Sequence, residues 1–328
     1  MTRDPAPPAV GDATLPSVSV VIPNYNHARY LPRSLNAFLR QSVRPVEIVV
    51  VNDGSTDQSL EVLQELARQH PVIEVLDNER NLGVVPSMNR GLARARGDYV
   101  LFAAADDEVR SGLLERSLTL LRAHPQAGLC SSRSEWRCEA SGLAWTFGAG
   151  MPGEAGYLTP EAMVALGRRG RLAISGPNTL FRRTALVEAG GWVPELRWYC
   201  DFFGAYVVGF RHGMCHLPEV LAEFNLSAGS YYHTARDAGE RRAVLVWMLD
   251  LLLAESCGDV RPRIRDSGIL GTLGTPLLRV VLGRPAYRGF VNVPLLRQVA
   301  RRGAEVLGRR WFPAWFARWC LRVFYGRG

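Results

Sequence analysis

With 328 residues, 47% of them hydrophobic, the chain can build one large α/β domain plus an appendage, which excludes a disordered or fibrous protein. Six cysteines without a CxxC pair form neither a zinc-ligand pattern nor a disulfide framework, and they suit a reducing cytosol. The formal charge of +8 would suit nucleic acid, an anionic membrane or a phosphorylated substrate, and only the placement of the basic residues separates these.

Residues 1–16, with Pro5, Pro7 and Pro8 and no apolar signal core, read as a disordered tail. The β-branched run 18–22, closed by Pro23, predicts a buried strand ending in a turn. Asn26 stands where a helix N-cap would, ahead of Leu31, Leu35, Phe38 and Leu39 at helical spacing. A second strand follows at 47–51, then turn residues Asp53-Gly54-Ser55-Thr56-Asp57 and an amphipathic helix over 59–69. Residues 72–76 predict a third strand, 85–95 a helix, 99–103 a fourth strand and 111–123 a helix. This alternation argues for an α/β fold with a doubly wound, mostly parallel sheet and right-handed crossovers.

Over 133–159 the pattern loosens, with Gly142, Gly148, Gly150, Gly153 and Gly156, and the segment reads as a binding loop. Regularity returns with a strand at 178–181, a helix at 184–189 stopped by Gly190-Gly191-Trp192, a helix over 201–211 and an extended run at 214–217. An α/β domain over 17–226 is therefore expected to be followed by a mainly helical region, 227–328, with breaks near Gly258, 271–276 and 283–285. Basic residues are dense after Arg261, where Arg297, Arg301, Arg302, Arg309, Arg310, Arg318 and Arg322 mix with Trp311, Phe312, Trp315, Phe316 and Trp319. That composition suits a helix lying on a membrane surface, and equally a C-terminal helix with its aromatic face turned inward. No apolar run reaches membrane-spanning length, since 243–254 is short and broken by Asp250. A cytoplasmic protein with at most peripheral membrane contact, and no nucleic-acid partner, is expected.

The stretch with most chemistry is Gly97-Asp98-Tyr99-Val100-Leu101-Phe102-Ala103-Ala104-Ala105-Asp106-Asp107-Glu108, an apolar strand ending in three acids. Carboxylates there stand where open α/β sheets bind ligands. They could equally begin the 111–123 helix, because acids favour helix N-termini. Asp53 has two readings also: a hydrogen-bond acceptor for a base or ribose, or an Asx-turn residue capping the next helix. Asp201 reads as a helix N-cap ahead of the apolar Phe202, Phe203, Tyr206 and Val207.

In order, Val18-Ser19-Val20-Val21-Ile22-Pro23-Asn24-Tyr25-Asn26, Val51-Asn52-Asp53-Gly54-Ser55-Thr56-Asp57, Asn81-Leu82-Gly83 and the acidic block resemble the inverting family 2 glycosyltransferases, over about 17–224. The resemblance implies the GT-A fold. It implies transfer from a nucleotide-diphosphate sugar, with a UDP-sugar expected, to a hydroxyl of a glycan or lipid-linked acceptor in bacterial cell-surface polysaccharide or glycolipid synthesis. It also implies donor contacts from Pro23, Tyr25, Asn26, Asp53, Asn81 and Gly83, and a Mg²⁺ or Mn²⁺ ion on Asp106, with Asp107 orienting water or the sugar. The general base it implies is Asp201, in Trp198-Tyr199-Cys200-Asp201-Phe202-Phe203, and Gly176-Pro177-Asn178-Thr179 would border the sugar and acceptor.

Two positions depart from the family pattern. Ala104 stands where the first acid of the DxD motif is usual, and Met88 where an Arg precedes Asn89; Arg90 and Arg94 read as solvated helix residues. A single protein carboxylate can still hold a hard cation when diphosphate and water complete its shell. His233, after Ser227-Ala228-Gly229-Ser230, is a candidate phosphate or metal contact from a closing loop. Two other readings remain. One is a catalytically silent GT-A domain that docks on membranes or partners. The other, a nucleotidyltransferase, would want a Gly-rich basic loop where Pro23-Asn24-Tyr25-Asn26 has neither glycine nor lysine.

Overall fold

A computed structural model describes residues 14–138, 142–226 and 237–311, the last seven of them by backbone alone. His233 and the aromatic run from Phe312 onward lie outside the described residues. In chain order the elements are β1 (Val18–Asn24), α1 (Leu31–Leu39), β2 (Glu47–Asn52), α2 (Ser59–Gln69), β3 (Ile73–Asp77), α3 (Val84–Arg94), β4 (Tyr99–Phe102), β5 (Glu108–Val109) and α4 (Leu113–Ala123). Then come β6 (Leu129–Cys138), β7 (Ala144–Phe147), β8 (Gly156–Leu158), α5 (Pro160–Arg168), β9 (Thr179–Arg182), α6 (Arg183–Glu188), α7 (Cys200–His212) and β10 (Met214–Leu226). The helices α8 (Ala238–Leu253), α9 (Arg261–Ser267), α10 (Thr275–Gly283) and α11 (Val293–Trp311) complete the described chain.

The strands form one sheet in the order β3-β2-β1-β4-β9-β6-β10-β5, with β7 added to β6 and β8 to β10. The strands β1, β2, β3, β4, β6 and β10 run one way, and β5, β7, β8 and β9 the other. The sheet is therefore mixed but mostly parallel, the antiparallel β9 lying between β4 and β6. Its central strands are apolar on both faces because both faces are covered. Val18, Val20 and Ile22 of β1 join Leu31, Leu35 and Phe38 of α1, Leu63 of α2 and Leu113 of α4 on one side. Val21 faces the other way, toward Val85, Met88 and Leu92 of α3 and the layer of α6 and α7. Full burial of side chains such as Phe38 or Leu35 contributes about 2 kcal/mol each.

Helices α8 to α11 extend this second layer. Val244, Leu245, Leu277 and Leu295 belong to the same apolar cluster as Phe203 and Val207 of α7. On α11, Gln298 donates to the carbonyls of Gly167 (2.8 Å) and Ser267 (3.1 Å), and Arg301 donates to that of Gly170 (2.7 Å). Gly167 is required there, since a Cβ would lie 2.6 Å from Ser267 Cβ.

Three expectations need correction. Residues 133–159 are not one long loop: their described part includes the end of β6, the strand β7 paired to it and the short β8, with irregular chain left at 148–155. Ser131, Ser132 and Ser134 hid β6 from hydropathy, yet all three are buried, their hydroxyls in hydrogen bonds rather than water. Asp106 and Asp107 do not begin α4: β5 intervenes and Gly112, at φ 85°, holds the N-cap position. Asn26 is not the cap of α1, whose N-cap position is Tyr30 without a side-chain bond. It adopts φ 57° instead, and its Oδ1 accepts from the backbone N–H of Thr56 (2.7 Å) and Asp57 (3.3 Å), pinning the β2–α2 turn to the end of β1.

Candidate functional site

From β1 the chain steps outward to β2 and β3 on one side, then returns to place β4 on the other side of β1. The carboxyl ends of β1 and β4 thus flank a topological switch point, the crevice where open α/β sheets take their ligands. Pro23 and Tyr25 lie at the end of β1, Asp53 just past β2, and Asp106 and Asp107 just past β4. Because β9 runs against β4, its amino end, preceded by a 3₁₀ turn at Gly176–Asn178, reaches the same edge. Topology therefore brings Pro23, Tyr25, Asn26, Asp53, Asn81, Gly83, Asp106, Asp107 and Asp201 to one rim of the sheet.

The β1–β2–β3 side is a hydrogen-bonded scaffold. Asp53, 3% exposed, accepts from Asn78 Nδ2 (2.7 Å) and from the backbone N–H groups of Leu82 and Gly83 (both 2.9 Å). It fixes the loop before α3 rather than capping α2; near α2 that work falls to Asp57, which accepts from the Ser59 N–H (2.9 Å). Gly54 (φ 65°) must be glycine, since a Cβ would lie 2.5 Å from the Arg80 carbonyl carbon. Asn24 donates to Asn52 and Ser55 (both 3.3 Å) and Asn52 to Asp77 (2.7 Å), while the buried Asn24 Oδ1 has no protein partner. Asn81 is exposed and accepts from the Gly83 N–H (3.0 Å); Tyr25 is 43% exposed. Arg90 and Arg94 are solvent-facing helix residues that also make bonds: Arg90 donates to the Asp77 carbonyl (2.7 Å) and to Asn78, and Arg94 pairs with Glu74 (2.5 Å). Asn89 clamps α3 to the α6 stop, donating to the Trp192 carbonyl (2.6 Å) and accepting from its N–H (3.0 Å).

At the acid block, burial and the neighbouring charge of Asp106 push the Asp107 carboxyl well above the usual range, against a hydrogen bond from the Asn225 backbone. Arg33 of α1, which no sequence signal placed here, lies 3.8 Å from Glu108 and donates to the Asp106 carbonyl (3.4 Å). Among the described residues no three His, Cys, Asp or Glu side chains are grouped to hold a metal. Two carboxylates repelling each other at a strand end fit a cation whose remaining ligands come from a bound diphosphate and water.

Asp201 is in the first turn of α7, not its N-cap, which is Tyr199. Its Oδ1 accepts from the Phe202 N–H (2.7 Å), and its other oxygen faces Gly176, where a Cβ would stand 2.4 Å away. Burial raises its pKa above the ordinary carboxylate value despite that hydrogen bond. Just upstream, Arg197 holds φ 46°, ψ −119° and pairs with Glu240 of α8. Asn26 and Arg197 are the non-glycine residues of positive φ among the described residues. Asn178 is fully buried behind Gly176, donating to Ser132 Oγ (2.6 Å) with its own Oδ1 unpartnered.

The sheet, with its switch point between β1 and β4 and polar side chains at the ends of β1, β2 and β4, defines a mixed, mostly parallel α/β domain. The family model described as Glycosyl transferase family 2 matches residues 19–189, more than half of the chain, and the chain belongs to that family. Among curated relatives, it is 38% identical over 112 residues to an uncharacterized glycosyltransferase of Nostoc sp. (34% of this chain, 35% of that protein). It is 32% identical over 114 residues to a cholesterol galactosyltransferase of Borreliella burgdorferi (35% and 32%). The matches thus span about a third of those relatives' own length. Among solved structures, S. aureus TarS 1–349 in complex with UDP-GlcNAc aligns over 94% of this chain and 89% of that one, with TM-score 0.61 and 18% identity. The mannosyltransferase PcManGT from Pyrobaculum calidifontis, in complex with GDP-Man and Mn²⁺, aligns over 95% and 85%, with TM-score 0.58 and 17% identity. The fold is GT-A.

Proposed function

We propose that the protein is an inverting glycosyltransferase, moving a sugar from a nucleotide-diphosphate sugar, with a UDP-sugar as expected donor, to a hydroxyl of a glycan or lipid-linked acceptor. The observation that carries the reading is the Asp201 carboxylate, held against Gly176 with a raised pKa, on the same sheet rim as the Asp106–Asp107 pair. The acceptor O–H proton passes to Asp201 as its oxygen attacks the anomeric carbon, and the bond to the diphosphate breaks on the opposite face. One displacement inverts the anomeric centre, and no protein nucleophile is needed. The loop gripped by Asp53, together with Pro23, Tyr25, Asn26, Asn81 and Gly83, serves the base and ribose. Asp106, with Asp107 beside it, would hold Mg²⁺ or Mn²⁺, which when bound supplies charge neutralisation for the departing diphosphate. The neighbours crystallised with UDP-GlcNAc, and with GDP-Man and Mn²⁺, support a nucleotide-sugar donor and a divalent ion.

The same reading divides the chain into a transferase domain, 17–226, and a helical region, 227–328, that contacts the cytoplasmic face of a membrane and serves surface-polysaccharide or glycolipid synthesis. Among the described residues no helix is long and apolar enough to cross a membrane. Residues 267–304 hold Arg279, Arg284, Arg288, Arg297, Arg301 and Arg302 without one Asp or Glu, and expose Leu282, Val293 and Leu296, which supports surface contact. The test of the transfer reading is release of nucleoside diphosphate from UDP-glucose, UDP-galactose, UDP-GlcNAc and GDP-mannose with Mn²⁺, with simple methyl glycosides supplied as acceptors and water taking the sugar in their absence. Release from one donor that vanishes in Asp201→Asn supports it. Equal release by Asp201→Asn removes the base, and no release from any donor favours the silent binding domain.

A further inference from the structure

We propose that the β6–β7 hairpin is an acceptor platform, seating one face of a neutral pyranose ring of the acceptor on the indoles of Trp136 and Trp145; this rests on the glycosyltransferase reading. The register sets Trp136 opposite Trp145 and Ser134 opposite Phe147, and on the other side sets Phe224 of β10 opposite Trp136. Residues directly opposite in a sheet share a face, so the four rings lie together. The Trp136 ring centroid is 6.2 Å from Trp145, 5.5 Å from Phe147 and 5.5 Å from Phe224. Phe224 is 4% exposed and forms the floor, whereas Trp136, Trp145 and Phe147 remain only half-buried.

Position relative to the proposed chemistry decides what this surface is for. Trp136 Nε1 donates to Ser134 Oγ (2.9 Å), which bonds Ser175 Oγ (3.1 Å), and Ser175 precedes the Gly176 that touches Asp201. On its other flank, Phe224 precedes Asn225, whose backbone bonds the Asp107 carboxyl. The aromatic face is thus bracketed by the candidate base and the acid block, while the polar scaffold for the nucleotide lies beyond β4 on β1, β2 and β3. On the alternate positions, Glu135 and Arg137 of β6 pair with Arg110 and Glu223 in a mutually neutralising network. What remains toward the rim is apolar and uncharged, with indole edges, the surface that fits the C–H face of an uncharged sugar.

The test is saturation-transfer NMR on the full chain with UDP and Mn²⁺, using methyl glycosides of glucose, galactose, mannose and N-acetylglucosamine as probes. Saturation of the ring protons of one face is expected for at least one glycoside, with affinity about tenfold weaker in Trp145→Ala and restored in Trp145→Phe. β7 is bonded to β6 alone among the described strands, so these changes are local; should Trp145→Ala not fold, Trp145→Leu, apolar but without a ring, decides in its place. Saturation that survives in Trp145→Ala, or none for any probe while UDP binds, overturns the platform and leaves the rings as hairpin packing. Failure of UDP to bind the wild-type chain would instead overturn the transferase reading.

Discussion

Gly176→Ala is the most pointed way to ask whether Asp201 does the proposed work. The added Cβ would stand 2.4 Å from the Asp201 carboxylate oxygen and 3.3 Å from its Cγ, and Gly176 is not in the left-handed region, so alanine can adopt the backbone. Ordinary contact then requires the carboxylate to retreat by about 1 Å, and a displacement of that size at a reacting group costs on the order of 100-fold in rate. Converted at the transition state this is about 2.7 kcal/mol. The assay is steady-state release of nucleoside diphosphate, with Tm and donor KM measured alongside and Gly153→Ala, whose Cβ meets nothing within 4 Å, as control. We expect kcat to fall while donor KM and Tm stay near wild type. Wild-type kcat in a folded Gly176→Ala protein would refute the placement of the base.

Asp201→Asn is expected to abolish transfer yet stabilise the fold at neutral pH. Burial raises the native pKa of Asp201 above its ordinary value of 3.8, so the native state binds its proton more readily and stability is lost as pH rises from 3.8 through the native pKa. Melting curves of the two proteins should therefore converge near pH 4 and separate at pH 7, and the acid limb of kcat/KM should lie above the ordinary aspartate range. Glu47 carries the opposite sign: burial opposes its ionisation, but bonds from Ser19 Oγ (2.6 Å) and from the N–H and guanidinium of Arg96 outweigh this and lower its pKa below 4.5. Its stabilisation is present above pH 4.5 and lost as pH falls through the native pKa, and Glu47→Gln should cost about 2 kcal/mol, or roughly 3 °C in Tm at pH 7. Gly54→Ala should displace the 80–83 loop that Asp53 grips, weakening nucleotide binding about tenfold in calorimetry.

The sheet's first half was legible because β1, β2 and β4 are buried on both faces and read as unbroken apolar runs ending in turn residues. The helix α2 was legible to its exact ends for the matching reason, Leu63 and its neighbours recurring at helical spacing. β6 was not, because its buried serines are satisfied by Ser175 and Asn178 in the turn before β9, contacts that join positions more than 40 residues apart. The ordered motifs brought the candidate acids into view, but not what each carboxylate touches. That Asp53 holds Leu82 and Gly83, or that Asp201 rests on Gly176, follows only from the crossovers that fold the rim together. Arg33 and the Trp136–Trp145 pair carried no local signal, since their place at the rim comes from pairing and register alone.

A donor site at the β1–β4 switch point is tested most directly by thermal unfolding with UDP, GDP, dTDP and CDP, each with Mn²⁺, Mg²⁺ or EDTA. At a hundredfold excess over Kd a ligand of the native state adds about 2.7 kcal/mol. We expect one nucleotide, UDP first, to raise Tm by roughly 4 °C with Mn²⁺ or Mg²⁺, with little shift in EDTA or in Asp106→Ala. No shift with any nucleotide, or one indifferent to both EDTA and Asp106→Ala, would contradict a metal-assisted donor site on this rim.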